Sequence, residues 1–285
     1  MSTQNELAGQ QRTWWNRWGK VTSSHLLLGL ISITTMLPFI WMVLASFKPM
    51  ADIEKINPIP SVWHPENYIE VFRKVQFARY YFNSLFIAAW VTLLTVLTSS
   101  LAAYAFARIQ WKGRDMVFKL YLMTLMIPGV VVMIPNYTVM VHLHLLDSYV
   151  GLIVPAAFSA FGTFLLRQFM LTIPSALDEA AEIDGANSWQ ILWEIIMPLA
   201  QPGLVTLAVF TFLGNYGSFF WPLLIIKSEY LRTLPIGMLF FDTNYGTQTN
   251  LIMAGSVMSV IPVIILFVFC QKFLVKGIQL GAVKG

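Results

Sequence analysis

The stretch "DEAAEIDGANSWQILWEIIMP", residues 178–198, is the most polar and most patterned part of this chain. It holds five acidic residues, an alanine pair and one glycine, although the sequence on either side of it is strongly apolar. So regular a polar segment in an apolar chain indicates a surface element. The surrounding sequence indicates where that surface lies.

Local signals predict two short helices with a sharp turn between them. Ser175 stands three residues before Asp178, which is the spacing of a helix-starting capping box. Gly185 is suited to end this first helix, because glycine adopts the left-handed conformation without strain. Asn187 and Gln190 repeat the capping-box spacing and predict a second helix that runs to the end of the stretch.

The composition places the rest of the chain in a lipid bilayer. Of the 285 residues, 57% are hydrophobic and only 11% are charged, whereas a soluble domain has about 25% charged residues. Too little charge is present to cover a soluble core of this size. A soluble globular fold is therefore excluded.

Six apolar windows are long enough to cross a membrane, which takes roughly 20 residues each. They cover residues 25–47, 84–107, 117–141, 149–170, 202–226 and 251–272. Prolines and glycines interrupt most of them, as is tolerated where neighbouring helices or a water-lined cavity satisfy the freed backbone groups. The sequence thus predicts an all-α integral membrane protein whose six spans surround a pathway.

Lysine and arginine predict the orientation, since they concentrate on the cytoplasmic side of membrane proteins. They are more numerous on the side that holds both termini. We therefore expect a cytoplasmic segment at 1–24, a first span at 25–47, an extracytoplasmic loop at 48–83, a transmembrane core at 84–272 and a cytoplasmic tail at 273–285. Trp63 and Tyr68 in the loop are expected to be interfacial anchors. The net charge of +4 follows from this bias and calls for no nucleic-acid partner.

The polar stretch then lies on the cytoplasmic face. Ala180 and Ala181 would leave a smooth strip that another backbone can approach, with Glu179 and Glu182 at its edge. Such a helix can dock in the cleft of a soluble partner. A plain amphipathic helix lying on the membrane surface fits the same residues, and the pattern alone leaves both interpretations open.

The stretch also resembles the EAA loop of the membrane subunits of bacterial ABC importers. That loop reads E-A-A, three residues, Gly, nine residues and I-x-L-P, and here only Met197 departs from it, in place of leucine. The matching positions include Glu179, Ala180, Ala181, Gly185, Ile195 and Pro198. Further stretches resemble the maltose-type, carbohydrate-uptake branch: "NSLFIA" at 83–88, "AAYAFARIQWKG" at 102–113, "LLDSYVGLIVP" at 145–155 and "FFWPLLII" at 219–226. The resemblance covers about residues 25–280.

The resemblance implies a type I ABC importer permease fold in a bacterial inner membrane. It implies a second, homologous permease subunit, two cytoplasmic ATPase subunits and an extracytoplasmic solute-binding protein as partners. The EAA loop, at about 174–198, would be the cytoplasmic coupling helix. Within it, Glu179 would make an ionic contact with the ATPase, Ala180 and Ala181 would pack closely against it, and Gly185 would be the hinge.

No residues of this chain predict catalysis. A phosphate loop of the form G-x-x-x-x-G-K-[ST] is absent from the sequence, so ATP and Mg²⁺ are expected on the partner ATPases, with no cofactor on this chain. His142 and His144 lie near Asp147, but no fourth ligand accompanies them, and we expect no metal site.

The cargo is expected to be a carbohydrate carried by an ATP-driven complex. The centres of the apolar windows hold no Asp, Glu, Lys or Arg, which argues against a self-sufficient, ion-coupled secondary transporter. The stretch 212–222 offers neutral hydrogen-bonding and aromatic groups that suit a carbohydrate, and the candidate pathway residues are Asn215, Tyr216, Ser218 and Trp221. Aromatic packing accounts for the same residues, and a sugar phosphate or a polyol remains an alternative cargo.

Overall fold

The computed structural model of the chain describes residues 2–53, 55, 57–245 and 248–282, and the side chains of 24–53, 55, 57–239 and 248–273. The described residues form helices and turns without a β-strand. The α-helices are α1 Ser2–Ser46, α2 Asn67–Lys74, α3 Phe77–Ala107, α4 Arg114–Met123, α5 Gly129–His142, α6 Tyr149–Ile153, α7 Ala160–Leu171, α8 Ala176–Ile183, α9 Ser188–Gln190, α10 Met197–Leu199, α11 Gln201–Tyr216, α12 Phe220–Ile225, α13 Leu234–Tyr245 and α14 Thr249–Ala282. A π-helix, Ile191–Ile196, joins α9 to α10.

Three helices are long and apolar enough to cross a membrane unbroken: Ser24–Ser46, Phe77–Ala107 and Thr249–Phe273. Three bent pairs supply the other crossings, with bends of 98° between α4 and α5, 43° between the α6 segment and α7, and 78° between the α9–α10 segment and α11. Counting each pair as one span gives six crossings among the described residues. The predicted all-α membrane fold with six spans is confirmed.

One window begins earlier than predicted, and the fifth window is interrupted, as its glycines predict. The second span begins at Phe77, not at residue 84. The fifth window, 202–226, does not form one helix, because α11 ends at Tyr216 and α12 begins only at Phe220. Gly214 stays inside α11, while Gly217 closes it by donating its N–H to the carbonyl of Leu213 at 3.2 Å.

The chain divides into two compact units, Met1–Glu70 with Gln248–Val257, and Val71–Thr247 with Met258–Gly285. In the first unit, the side-chain amide of Asn67 donates to the carbonyls of Ser46 and Lys48 at 2.8 and 3.0 Å. Tyr68 bonds the Ser46 hydroxyl at 2.7 Å and packs on the Phe47 ring. Part of the predicted 48–83 loop is therefore folded, and Tyr68 is tied into that fold.

In the second unit, α3 packs against both α7 and α11. Glycine allows this close approach: a Cβ on Gly162 would lie 2.6 Å from the Ser99 hydroxyl of α3 and 3.0 Å from the Leu207 side chain of α11. Small residues at helix contacts serve this purpose in membrane proteins. One apolar cluster joins the end of α3 to α7, α8, the π-helix and α11, and includes the fully buried Leu166 and Met170. This cluster supports the polar stretch at 174–198.

Candidate functional site

The EAA segment, residues 174–198, forms the two short helices that the sequence predicts. Gly185 has φ +85°, in the left-handed region. Its N–H donates to the carbonyl of Glu182 at 3.0 Å, and the N–H of Ala186 donates to that of Ala181 at 2.9 Å. These two bonds are the Schellman pattern that ends a helix. The predicted turn at Gly185 is confirmed.

One predicted helix cap is present and the other is absent. The Asn187 side chain accepts from the N–H groups of Trp189 and Gln190, and Gln190 accepts from the N–H of Asn187, which completes the capping box. Ser175, by contrast, has helical backbone angles and makes no side-chain cap bond. Its expected partner, Asp178, pairs with an arginine from another helix.

That arginine is Arg108, which follows the last residue of α3. Its Nη1 lies 3.1 Å from Oδ2 of Asp178, and the two side chains are only 9% and 16% exposed. Its Nη2 donates to the carbonyls of Met170 and Ile173 at 2.7 Å each. Arg108 thereby ties together the end of α3, the end of α7 and the start of α8.

The Arg108–Asp178 ion pair leaves one polar atom of each side chain without a hydrogen bond. Nε of Arg108 and Oδ1 of Asp178 are buried without a hydrogen-bond partner among the described residues. Burial raises the pKa of the Asp178 carboxyl, and the neighbouring Arg108 charge acts in the opposite direction. From the sequence, Arg108 is only one of the cytoplasmic charges. Its position in the stretch 102–113, which resembles the carbohydrate-uptake branch, is the one sequence feature that sets it apart.

The exposed surface of α8 combines apolar side chains with two acids, Glu179 and Glu182. Ala176, Glu179, Ala180 and Ile183 are exposed on it, and the Ile183 side chain reaches 86% exposure. Ala181, however, is only 8% exposed and packs in the chain's own apolar cluster. The predicted Ala180–Ala181 strip is corrected: a partner can reach Ala180 beside Ile183, not Ala181.

The two remaining motif residues lie in the second half of the EAA segment. Ile195 is partly buried against the same apolar cluster. Pro198 is exposed in α10, just before the 78° bend into α11. Ile195 thus helps to hold the segment against the cluster, whereas Pro198 lies at the surface where the chain turns into α11.

The four candidate pathway residues do not converge on one site. Tyr216 is buried and donates its hydroxyl to the carbonyl of Ser259 at 2.9 Å. The Trp221 indole donates to the carbonyl of Gly151 at 3.1 Å, and Ser218 is partly buried beyond the end of α11. Asn215 lines a cavity of about 250 Å³ at the bend of the fourth span.

Asp147 has a structural role at the other end of the unit. It adopts φ +53°, and its Oδ1 accepts from the N–H of Lys227 at 3.0 Å and from the N–H and hydroxyl of Ser228 at 2.9 and 3.0 Å. Burial alone would raise the pKa of Asp147, but these hydrogen bonds and the Lys227 charge outweigh it and lower that pKa. Asp147 thus joins two loops and is not set up as a metal ligand.

Comparison with known proteins identifies relatives over most of the chain. Residues 95–279 match the family model described as binding-protein-dependent transport system inner membrane component. The arabinooligosaccharides transport system permease protein AraQ of Halalkalibacterium halodurans is 35% identical over 261 residues, covering 90% of this chain and 93% of the relative. The sn-glycerol-3-phosphate transport system permease protein UgpE of Yersinia pestis is 36% identical, covering 69% of this chain and 70% of the relative.

A solved structure has the same fold. It is a bacterial ABC transporter involved in the import of the acidic polysaccharide alginate, and its matching chain superposes with a TM-score of 0.81 at 25% identity. The match covers 90% of this chain and 96% of that one.

Proposed function

The chain belongs to the family of binding-protein-dependent transport system inner membrane components, and we propose that it is one permease subunit of an ATP-driven importer for a carbohydrate. It would form half of the translocation pathway. A homologous permease subunit would form the other half, two ATPase subunits would bind on the cytoplasmic side, and a solute-binding protein would deliver the cargo outside. Both termini would then be cytoplasmic.

The observation that carries this proposal is the exposed face of α8. Ile183 projects with 86% exposure beside Ala180 and the Glu179 carboxylate. An isolated exposed apolar side chain needs no explanation, but this one lies on a helix that carries the EAA motif and that the Arg108–Asp178 pair ties to α3. An apolar helix face with an acid at its rim fits the cleft of a soluble partner. In this proposal Glu179 pairs with a cation of the ATPase.

Energy would come from the partners. Without a phosphate loop of its own, the chain is a transport subunit and not an enzyme, and ATP and Mg²⁺ would bind to the ATPases. Closure of the ATPase pair would draw the coupling helices together and switch the permease pair from inward-facing to outward-facing. Nearly complete switching takes about 5.5 kcal/mol of differential binding. A helix that transmits this energy must be anchored to the membrane core, and Arg108 joins α8 to the ends of α3 and α7.

The names of the relatives support a carbohydrate cargo. One relative is named for arabinooligosaccharides and the solved transporter for alginate. A sugar phosphate or polyol is the second candidate, because UgpE is named for sn-glycerol 3-phosphate.

The test is to co-express the tagged chain with its partner subunits, purify the complex and reconstitute it in proteoliposomes. We expect an ATPase to co-purify, and we expect ATP-dependent carbohydrate uptake that requires the solute-binding protein. Glu179→Lys should reduce uptake strongly while leaving the complex folded. Glu194→Lys, which changes an exposed acid on the neighbouring helix of the same segment, is the matched control and should keep uptake near wild type.

Two results would count against the proposal. Uptake without ATP by the chain alone would favour a secondary transporter. Normal uptake by the Glu179→Lys variant would show that Glu179 makes no essential contact with the ATPase.

A further inference from the structure

A pocket of about 380 Å³ lies between the end of α3 and the second helix of the EAA segment. Leu101, Tyr104 and Ala105 line it from the last two turns of α3, and Trp189 and Leu192 line it from the second helix. All of its lining residues come from these two elements and the short stretch that follows α3. The pocket is therefore distinct from the exposed face of α8, and the proposed docking of the ATPase does not use it.

The walls of the pocket are apolar. Aliphatic and aromatic side chains form most of the lining, and its two hydroxyls, those of Tyr104 and Ser188, are hydrogen-bond partners of each other. Among the described residues that line the pocket, none is acidic or basic. A sugar or a charged metabolite would lose its hydrogen bonds to water there without replacing them, and burying such unpaired groups costs free energy. The pocket accordingly suits an apolar ligand.

The pocket also lies at membrane depth. Its α3 residues belong to Phe77–Ala107, which is long and apolar enough to cross a bilayer. Three tryptophans with exposed fractions of 41%, 62% and 42% mark the adjoining interface: Trp111 just after α3, and Trp189 and Trp193 on the second helix. Tryptophan is enriched where the hydrocarbon meets the lipid headgroups. Acyl chains of the leaflet next to the EAA segment can therefore reach the pocket.

Depth and size together limit the occupant to a single chain. A soluble protein partner does not enter the hydrocarbon, and an α-helix, roughly 10–12 Å across with its side chains, is too wide for a pocket of about 380 Å³. The volume lies within the roughly 300–1,000 Å³ of small-molecule sites. A phospholipid acyl chain meets each of these conditions.

We propose that an acyl chain of a phospholipid from this leaflet binds in the pocket, with its headgroup outside at the level of the exposed tryptophans. The bound chain joins α3 to the second helix of the EAA segment, much as Arg108 joins α3 to α8. This site goes beyond the proposed transport function and depends only on the membrane fold. Failure of one proposal therefore leaves the other standing.

The experiment uses the assembled complex in nanodiscs that contain a phosphatidylethanolamine with a photoactivatable diazirine in the middle of one acyl chain. After irradiation, mass spectrometry locates the lipid adducts along the protein. Ala105→Phe fills the pocket with a larger apolar side chain, because Ala105 lines it. Ala89→Phe makes the same change at an exposed position of α3 outside the lining, and serves as the matched control.

We expect wild type to carry adducts on Tyr104 and Leu192. These residues are only 7% and 2% exposed, so a lipid on the outer surface of the protein does not reach them. Ala105→Phe should lower these adducts about tenfold, which corresponds to a loss of about 1.4 kcal/mol of binding, and the control should leave them unchanged. Trp189→Ala removes an exposed wall of the pocket and should also lower them, so it decides the question if Ala105→Phe fails to assemble.

Three results would overturn the proposal. The first is an absence of adducts on Tyr104 and Leu192 while the exposed Leu26 of α1 is labelled. The second is an equal yield of adducts in wild type and in Ala105→Phe. The third concerns Ile109, which lines the pocket and is 41% exposed: a benzophenone side chain placed there would cross-link mainly to another protein subunit instead of to lipid.

Discussion

Gly185 determines the turn of the EAA segment through its backbone conformation alone. A Cβ at this position would meet nothing within 4 Å, yet φ is +85°. Any penalty for a side chain there is therefore conformational and not steric. The left-handed conformation costs an ordinary L-residue roughly 1–2 kcal/mol, and asparagine tolerates it better.

We expect Gly185→Ala to loosen the turn, so that amide hydrogens of the second helix of the segment exchange about tenfold faster. Gly185→Asn should exchange at an intermediate rate. Gly129→Ala is the control, since its added Cβ also meets open space but its φ is not left-handed. Equal exchange rates in the alanine, asparagine and wild-type chains would show that the left-handed turn is unimportant.

The pairing of Arg108 with Asp178 makes the stability of the EAA segment depend on pH. Burial raises the pKa of Asp178, so the protonated carboxyl favours the folded segment. This stabilisation is complete below the ordinary aspartate pKa of 3.8. It is lost as the pH rises through the raised pKa. Removing Arg108 raises this pKa further, because the opposing positive charge is gone. At neutral pH an unpaired buried carboxylate then remains.

We expect Arg108→Gln to destabilise the protein by about 3 kcal/mol at neutral pH, and to do so less as the pH falls. The double variant Arg108→Gln with Asp178→Asn should regain most of the stability, which a thermal melt at pH 5 and pH 7.5 would measure. Arg114→Gln should change little, because its partner Asp115 is 66% exposed and exposed pairs contribute about 0–1 kcal/mol. A pH-independent loss in Arg108→Gln would contradict the account.

At the scale of the helices, prolines alone do not show where a span breaks. Pro38, Pro135 and Pro262 all remain inside helices, whereas Pro155 lies in the broken fourth span. Pro155 differs because two hydroxyls of α3, those of Thr95 and Thr98, donate hydrogen bonds to the carbonyls of the break. A sequence pattern cannot show such a contact across about sixty residues.

We expect Thr95→Val to cost about 1–3 kcal/mol, because it removes the hydroxyl of the buried Thr95 that bonds the Ala156 carbonyl at the break. Chemical denaturation of the purified complex would measure the change. Thr34→Val is the control, since the Thr34 hydroxyl bonds the Leu30 carbonyl of its own helix. Equal effects of the two variants would mean that the break does not depend on Thr95.

The early start of α3 has a similar cause. Residues 77–83 include a charged arginine, so the hydrophobic window excluded them. In the fold, Arg79 stacks 3.6 Å over the Tyr230 ring and donates to the Tyr149 hydroxyl, and Asn83 donates to the carbonyls of Tyr230 and Arg232. These distant partners make a polar helix start stable.

Across the second unit, one helix connects the features that the function needs. α3 carries Arg79 near its beginning, Thr95 and Thr98 at the break of the fourth span, and Arg108 directly after its end, where it holds α8. We therefore expect a movement of the coupling helix to reach this break through α3. The same helix explains why the broken fourth span and the EAA segment belong to one compact unit.

The sequence predicted the features that depend on composition and local spacing. These include the six spans, the left-handed Gly185 and the Asn187 cap, all of which are read from residues close together in the chain. It did not predict the burial of Ala181, the role of Arg108 or the contact of Thr95 with the broken fourth span, because each depends on a helix that comes from elsewhere in the sequence. The EAA pattern located the segment, and the packing decided which of its residues face outward.

The central claim is that the exposed face of α8 docks on an ATPase subunit. The chain has a single cysteine, Cys270, so a Cys270→Ser background allows one reactive thiol to be placed at will. In the assembled complex, Ile183→Cys should cross-link to the ATPase through a short thiol-reactive cross-linker, whereas Leu143→Cys, also exposed but in the loop between α5 and α6, should not. Free labelling of Ile183→Cys by a water-soluble maleimide in the assembled complex, without any cross-link to the ATPase, would contradict the claim.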